Sequence, residues 1–260
     1  MRKRDVLAAN RQRPAAGTLR HRSVTLDARV YQQLRDSIVS LEIAPGAPVS
    51  ETAVCRRLGA SRTPVRTAIA RLQREGFFSV SGGGAKRRLI VAPLTASDMR
   101  ELFLMVGALD GVAARLSARL KPAVRQALVS RLTAINNDLR ALSVADEPGN
   151  ARQVEELDHQ FHLTYHCAAL APQLMLELES LQARRTRYVR IYTEALVYTR
   201  NMRDSVAEHD AIIAALLAGD EDTAEQRAGF NHRNALERFS RALAAASEYG
   251  TWFLPCPTSG

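Results

Sequence analysis

Cysteine and lysine are scarce in this chain, and long apolar runs are missing. The three cysteines, Cys55, Cys167 and Cys256, are odd in number and far apart. They form neither a disulfide framework nor a metal or redox spacing, so reduced thiols and a cytoplasmic location are expected. No apolar stretch approaches the roughly 20 residues that a membrane-spanning helix needs, so a soluble protein with no membrane partner is expected. Residues 1–24 are basic but lack the apolar segment of a secretory signal, and a flexible arm is expected there.

Acidic residues are scarce in one part only. Residues 1–92 hold 18 basic and 6 acidic side chains, whereas residues 93–260 hold 18 and 21. The first part therefore carries +12 and the second −3, which together give the net +9 of the whole chain. A basic part joined to a nearly neutral one suggests a polyanion-binding domain and a domain with another task. Arginine supplies almost all the positive charge, which suits phosphate and guanine contacts and also follows from a GC-rich genome.

The most informative stretch runs from Ser50 to Glu75. It reads as two short helices: Ser50 can cap the first with Glu51 at its positive end, Gly59 stops it, Ser61 can cap the second, and Pro64 falls within the second helix's first turn. In that second helix Val65, Ala68, Ile69 and Leu72 share one side. Thr63, Arg66, Thr67, Ala70 and Arg74 project from the other, with Arg62 at the N-terminal end. A short helix with hydroxyls and guanidiniums on its free side suits a DNA major groove. A solvated helical hairpin is the bland alternative.

A first helix over Asp27–Glu42 precedes this pair, with Val30, Leu34, Ile38 and Leu41 as its buried stripe and Ala44-Pro45-Gly46 as its stop. After Gly76 the period shortens, and residues 77–80 and 88–91 read as strands around Gly82-Gly83-Gly84 and Lys86-Arg87-Arg88. Three helices and a hairpin with a basic tip make a winged helix-turn-helix over residues 25–92. Beyond Ala92-Pro93-Leu94 only helices are expected, over Ser97–Leu120, Pro122–Ala141, Ala151–Ala169, Pro172–Tyr198, Asp204–Leu217 and Asp220–Ser247. The expected fold class is mainly α: a winged helix-turn-helix, then an all-α helical bundle over residues 95–247 and a tail over 248–260.

Within the bundle, Asp158 and His162 lie four residues apart on one helix face, bordering the stripe of Val154, Leu157, Phe161 and Tyr165. His159 and His166 are expected on the opposite, wetter side. His209 sits inside the stripe of Val206, Ile212, Ile213 and Leu216, where its ring nitrogens need partners. Taken alone, each is as well explained by a hydrogen-bonded core histidine.

In this order the chain resembles a GntR-family bacterial transcription regulator. The resemblance rests on Val30-Tyr31-Gln32-Gln33-Leu34-Arg35, Ala44-Pro45-Gly46, Ser50-Glu51, the run Leu58 to Arg66, Leu72 and Glu75-Gly76. The second domain is similar to the FCD ligand-binding domain of the FadR subfamily, on Asp158-His159-Gln160-Phe161-His162, Glu208-His209-Asp210-Ala211-Ile212 and Ala218-Gly219-Asp220.

The resemblance implies symmetric dimers on palindromic operator DNA, with Arg62, Thr63 and Arg66 touching DNA and Gly83 at the wing tip. With the exposed helix side, the candidate DNA set becomes Ser61, Arg62, Thr63, Arg66, Thr67, Gly83 and Lys86. It also implies a divalent metal held by one Asp and three His. Asp158, His162 and His209 match. The fourth place, counted without gaps, falls on Asn231, with His232 one residue later, and the preference goes to Asn231 because one residue turns a helix by about 100°. Zinc, nickel and manganese all suit such a donor set.

Small carboxylates are the effectors that the resemblance implies, yet the expected arginine on the first bundle helix is Val106, beside Gly107 and Ala108. The expected effector pocket therefore comprises Val106, Asp158, His162, His209, Arg187 and Arg190, with Arg184 and Arg185 as other sources of positive charge. A less charged or bulkier small-molecule effector is expected from Val106. The expected function is a metabolite-responsive repressor. The alternatives are an architectural DNA-binding dimer and a metal-dependent hydrolase.

Overall fold

The computed structural model describes residues 26–84, 87–145, 148–195 and 198–248. The arm over residues 1–24 and the tail beyond 248 lie outside the described residues. Helices α1 (Leu26–Val39), α2 (Glu51–Leu58) and α3 (Arg62–Arg74) open the chain, followed by β1 (Phe78–Ser81) and β2 (Arg88–Val91). The strands pair antiparallel, Phe78 opposite Val91 and Ser81 opposite Arg88. The segment between α1 and α2 lies along β2 as well, with Val49 N donating to Leu89 O and Val91 N to Ala47 O. This small sheet and the three helices enclose Val30, Leu34, Ile38, Val65, Ile69, Leu72, Phe77 and Val91.

Two local details differ from the sequence expectation. Helix α1 stops at Val39 rather than Glu42, because Leu41 turns into the left-handed region at φ 64°. Ile43 then packs against the core instead of continuing the helix. Ser50 and Ser61 do stand at N-cap positions with extended backbone, yet neither side chain makes a capping hydrogen bond. Gly59 takes the left-handed conformation, φ 60°, and its N–H closes α2 onto Cys55 O.

The rest is a helical bundle: α4 (Ala96–Ala118), α5 (Pro122–Ala145), a 3-10 turn (Pro148–Asn150), α6 (Ala151–Ala168), α7 (Pro172–Ala195), α8 (Tyr198–Ala218) and α9 (Glu221–Glu248). Thr95 caps α4 by accepting from Asp98 N. Helix α8 starts six residues before the expected Asp204. No proline or glycine separates Tyr198 from Asp204, and Met202 is drawn into the core beside Val206. One core gathers around Leu132, Phe161, Tyr165 and Ile212, and a second around Phe103, Leu139, Val189 and Phe239. Helices α4 and α9 pack closely because Gly107 and Gly111 carry no side chain. A Cβ at Gly111 would stand 2.9 Å from Glu225 O, and one at Gly107 would stand 2.9 Å from His232 Cβ.

The two halves meet along α7. Arg35 of α1 donates to Glu179 O and Oε1, Arg190 donates to Val39 O at 3.0 Å, and Arg187 donates to Ala92 O of the linker at 2.5 Å. Arg184 pairs with Asp98 at 2.6 Å and lies against Gly76, while Ala183 packs on the winged-helix core.

Candidate nucleic-acid interface and candidate metal centre

Helix α3 buries Pro64, Val65, Ala68, Ile69 and Leu72 and leaves its other side to solvent. Ser61, Arg62, Thr63, Arg66 and Thr67 are all exposed on that free side. The Thr67 hydroxyl donates back to Thr63 O, and Arg66 Nε is held at 2.7 Å by Glu51 of α2. Exposed ion pairs contribute about 0–1 kcal/mol, so exchanging Glu51 for a base edge costs Arg66 little. At the wing tip Gly83 is exposed with open space around it. Lys86 lies outside the described residues.

The bundle interior holds a cluster of ionisable groups. Ligand-capable atoms of Asp158, His162 and His209 lie within 4.8 Å of one another, and so do those of Asp110, His162 and His232. The two groups share His162, so five side chains from α4, α6, α8 and α9 converge on one place.

Their hydrogen bonds fix which ring nitrogens are free. The Asn136 amide nitrogen donates to Val206 O and Asp210 Oδ1, so its oxygen accepts from His209 Nδ1 at 3.1 Å. That leaves His209 Nε2 without a proton. It is buried, lacks a hydrogen-bond partner, and stands 3.7 Å from Asp158 Oδ1. Phe161 stacks on the ring at 3.9 Å and 7°, locking its plane. Tyr165 donates its only proton to Asp110 Oδ2 at 2.5 Å, so its oxygen accepts from His162 Nδ1 at 2.8 Å. His162 is thereby tethered through Nδ1 as well. A histidine tethered through one nitrogen and open at the other is the arrangement metal ligation requires.

Electrostatics follow from this crowding. Burial pushes the His209 imidazole down to about 3, reinforced by His162 and opposed by Asp158. Burial likewise takes His232 down to about 4 against the pull of Asp110. His162 moves the other way: burial disfavours its charge, but Asp110 outweighs burial and raises it. Burial would raise both carboxylates, yet the neighbouring imidazoles, His162 first, hold Asp158 below its ordinary value and Asp110 well below it.

The structure corrects several residue placements. Asn231 does not face the cluster with its amide, which donates to Glu208 Oε2 at 2.7 Å. His232 takes the place beside His162, with ring centroids 4.9 Å apart, and its Nε2 is 3.2 Å from Asp110 Oδ2. Gly107 makes this possible by letting the His232 backbone approach, so the space it leaves belongs to α9 and not to a ligand. His166 is not on a wet face: it is buried and pairs with Asp110 Oδ1. Asp110 is the member that the sequence expectation lacks, and its signal is a carboxylate in step with Phe103 and Val106 on the buried side of α4.

The expected effector pocket is also redrawn. Val106 is fully buried one turn from Asp110. Arg187 and Arg190 point to the linker and to α1, although Arg190 Nε also reaches Glu155 of α6 at 3.6 Å. Their long side chains reach past the bundle because α7 lies against the winged helix.

Comparisons with known proteins agree with this architecture. Residues 26–86 match the family described as bacterial regulatory proteins, gntR family, and residues 101–229 match the FCD domain. An uncharacterized HTH-type transcriptional regulator in the TAR-I ttuE-ttuC' intergenic region of Agrobacterium vitis is 34% identical over 54% of this chain and 78% of its own. The HTH-type transcriptional repressor RspR of Escherichia coli is 26% identical over 88% of this chain and 93% of its own. The solved structure of E. coli McbR/YncC has the same fold, with a TM-score of 0.64 at 22% identity over 85% of this chain and 99% of that one. The two curated relatives are named as an HTH-type transcriptional regulator and an HTH-type transcriptional repressor, and nothing in these names supports a hydrolase. The chain belongs to the GntR family of bacterial transcription regulators, with an FCD domain behind its winged helix-turn-helix.

Proposed function

We propose that this regulator is a repressor whose grip on operator DNA is set by a divalent metal and a small organic acid in the bundle. The observation that carries this reading is the buried, pre-oriented set Asp158, His162 and His209, joined by His232, inside the domain on which the winged helix docks. Asp158 supplies an oxygen, His209 its free Nε2, and His162 the ring nitrogen not tied to Tyr165. His232 is the fourth donor in place of Asn231. Zinc, nickel and manganese suit this mixture of imidazole and carboxylate. Held by these residues, such a metal would supply positive charge and Lewis acidity toward an acidic effector.

On the DNA side, Arg66 reads a base edge, Arg62 and Thr63 hold the adjacent backbone, and Ser61 and Thr67 border them. Gly83 and Lys86 carry the wing onto the flanking phosphates. The protein acts as a homodimer on a palindromic operator. Leu104, Met105 and Val112, exposed along the outer side of α4, support a second copy packing there.

The test combines two measurements on tag-free protein. Elemental analysis is expected to give one divalent ion per chain, and chelation is expected to lower the melting temperature. Metal-free wild type with an unchanged melting temperature in His209→Ala would leave only a core histidine.

A further inference from the structure

Helix α3 turns two unlike kinds of side chain to solvent. Arg62, Arg66 and Arg74 are long and charged, whereas Thr63, Thr67 and Ala70 are small, and all six are exposed. No acidic residue occurs within the helix. At about 100° per residue, Ala70 lies about 40° around the helix from Arg66 and about 60° from Thr67, so these three share one side over little more than a turn.

The hydroxyl of Thr67 is already used. It donates to Thr63 O at 3.2 Å, the carbonyl one turn back on the same helix. Threonine carries a hydroxyl and a methyl on Cβ, and turning the hydroxyl onto its own backbone leaves the methyl as the group offered outward. Ala70 offers only its Cβ. Neither side chain brings a free donor to a base edge, and neither is long enough to hold the helix away from the groove floor. The major groove carries one apolar group, the 5-methyl of thymine, and small apolar side chains are its partners. A helix rises about 1.5 Å per residue and base pairs stack about 3.4 Å apart, so Thr67 and Ala70 reach a base pair within about two of the one that Arg66 meets.

We propose that Thr67, with Ala70 beside it, is a specificity-determining contact for the 5-methyl group of a thymine within about two base pairs of the base that Arg66 reads. This deepens the reading of α3 given above and rests on it. Cytosine in the same place offers an amino donor and no methyl. Two methyl groups cannot accept from that donor, so T·A is favoured by what it presents and C·G is disfavoured by a donor left without an acceptor.

The test uses the full-length protein and the palindromic duplex that it enriches from a random pool. The reference position is the one whose base preference Arg66→Ala abolishes. Each thymine within about two base pairs of it is replaced by deoxyuridine, which removes the methyl group and keeps the hydrogen-bonding edge of the base. Wild type is expected to lose about fourfold in affinity for one altered half-site, as burial of a single methyl group implies, and about fifteenfold for two. Thr67→Ser removes the protein's methyl and keeps its hydroxyl, so it is expected to bind the thymine duplex more weakly and to discriminate less against deoxyuridine. Thr67→Val keeps the methyl and removes the hydroxyl, and it should retain the wild-type preference for thymine. The proposal is overturned if the enriched half-site holds no thymine there, if deoxyuridine costs wild type nothing, or if Thr67→Ser discriminates as wild type does. It is overturned as well if Thr67→Val loses as much as Thr67→Ser, since a lost hydroxyl contact would then explain both. An enriched site that depends on Arg66 but is indifferent to deoxyuridine removes the methyl contact alone. A wild type that enriches no site, or an Arg66→Ala protein that keeps the wild-type site, removes the reading of α3 and this contact with it.

Discussion

Arg66 and His209 show how much rests on single side chains. Arg66 stands in the middle of the exposed side of α3, loosely paired with Glu51. Arg66→Ala is expected to cost about 1–3 kcal/mol of base discrimination per subunit, which a dimer loses twice. Gel-shift titrations on selected and scrambled DNA measure it, and an unchanged preference would move the readout away from α3. His209 and His232 make a prediction about acid. Both are held neutral by burial, down to about 3 and about 4, against an ordinary 6.5. Unfolding releases them to take up protons, so the stability they contribute is complete above pH 6.5 and is lost as pH falls below it. Each contributes a slope of at most about 1.4 kcal/mol per pH unit. His162, raised by Asp110, works in the opposite sense and offsets part of it. Metal-free protein melted between pH 7.5 and pH 4.5 should lose stability steadily, and a flat profile would mean these rings are solvated.

Among the elements, α4 and α9 depend on two missing side chains. Gly111→Ala would press a methyl group against Glu225 O, which is backbone and cannot swing aside. A destabilisation of about 1–3 kcal/mol is expected in chemical denaturation, typical of overpacking between fixed helices. Gly107→Ala meets His232 Cβ instead, so its expected signature is a loss of metal affinity beyond the loss of stability. A Gly107→Ala protein that keeps wild-type metal affinity would detach His232 from the site. Element identity was largely legible: apolar residues every three or four positions marked the helices, and Gly59, Pro122, Pro172 and Gly219 marked their ends. Element contacts were not. Periodicity says that His166 is a turn along from His162, but only the arrival of α4 shows that Asp110 is waiting on that side. For the same reason a gapless count preferred Asn231. The α4–α9 crossing, set by Gly107, turns His232 inward and leaves Asn231 to Glu208.

At the scale of the whole molecule, α7 is the element that belongs to both halves. Arginines expected in an effector pocket hold α1 and the linker, and Arg190 also reaches Glu155 one turn before Asp158. A change in where α6 and α7 sit therefore has a direct mechanical route to the winged helix. Arg190→Met is expected to leave metal content unchanged while reducing the effect of metal on DNA affinity, which fluorescence anisotropy with and without chelator would show. An undiminished metal effect would place the coupling elsewhere. The charge division between the halves made a DNA-binding part legible before any fold was known. The orientation of one half on the other was not, because it depends on which arginine of α7 finds which carbonyl.

The central claim is that this chain reads a specific DNA sequence through α3, and the most direct measurement is selection of duplexes from a random pool by the full-length protein. Wild type is expected to enrich a palindromic site with half-sites about one helical turn apart, and Arg66→Ala to lose that enrichment while still binding DNA at low salt. A wild-type protein that binds the pool tightly but enriches no sequence would contradict the account and leave an architectural DNA-binding protein.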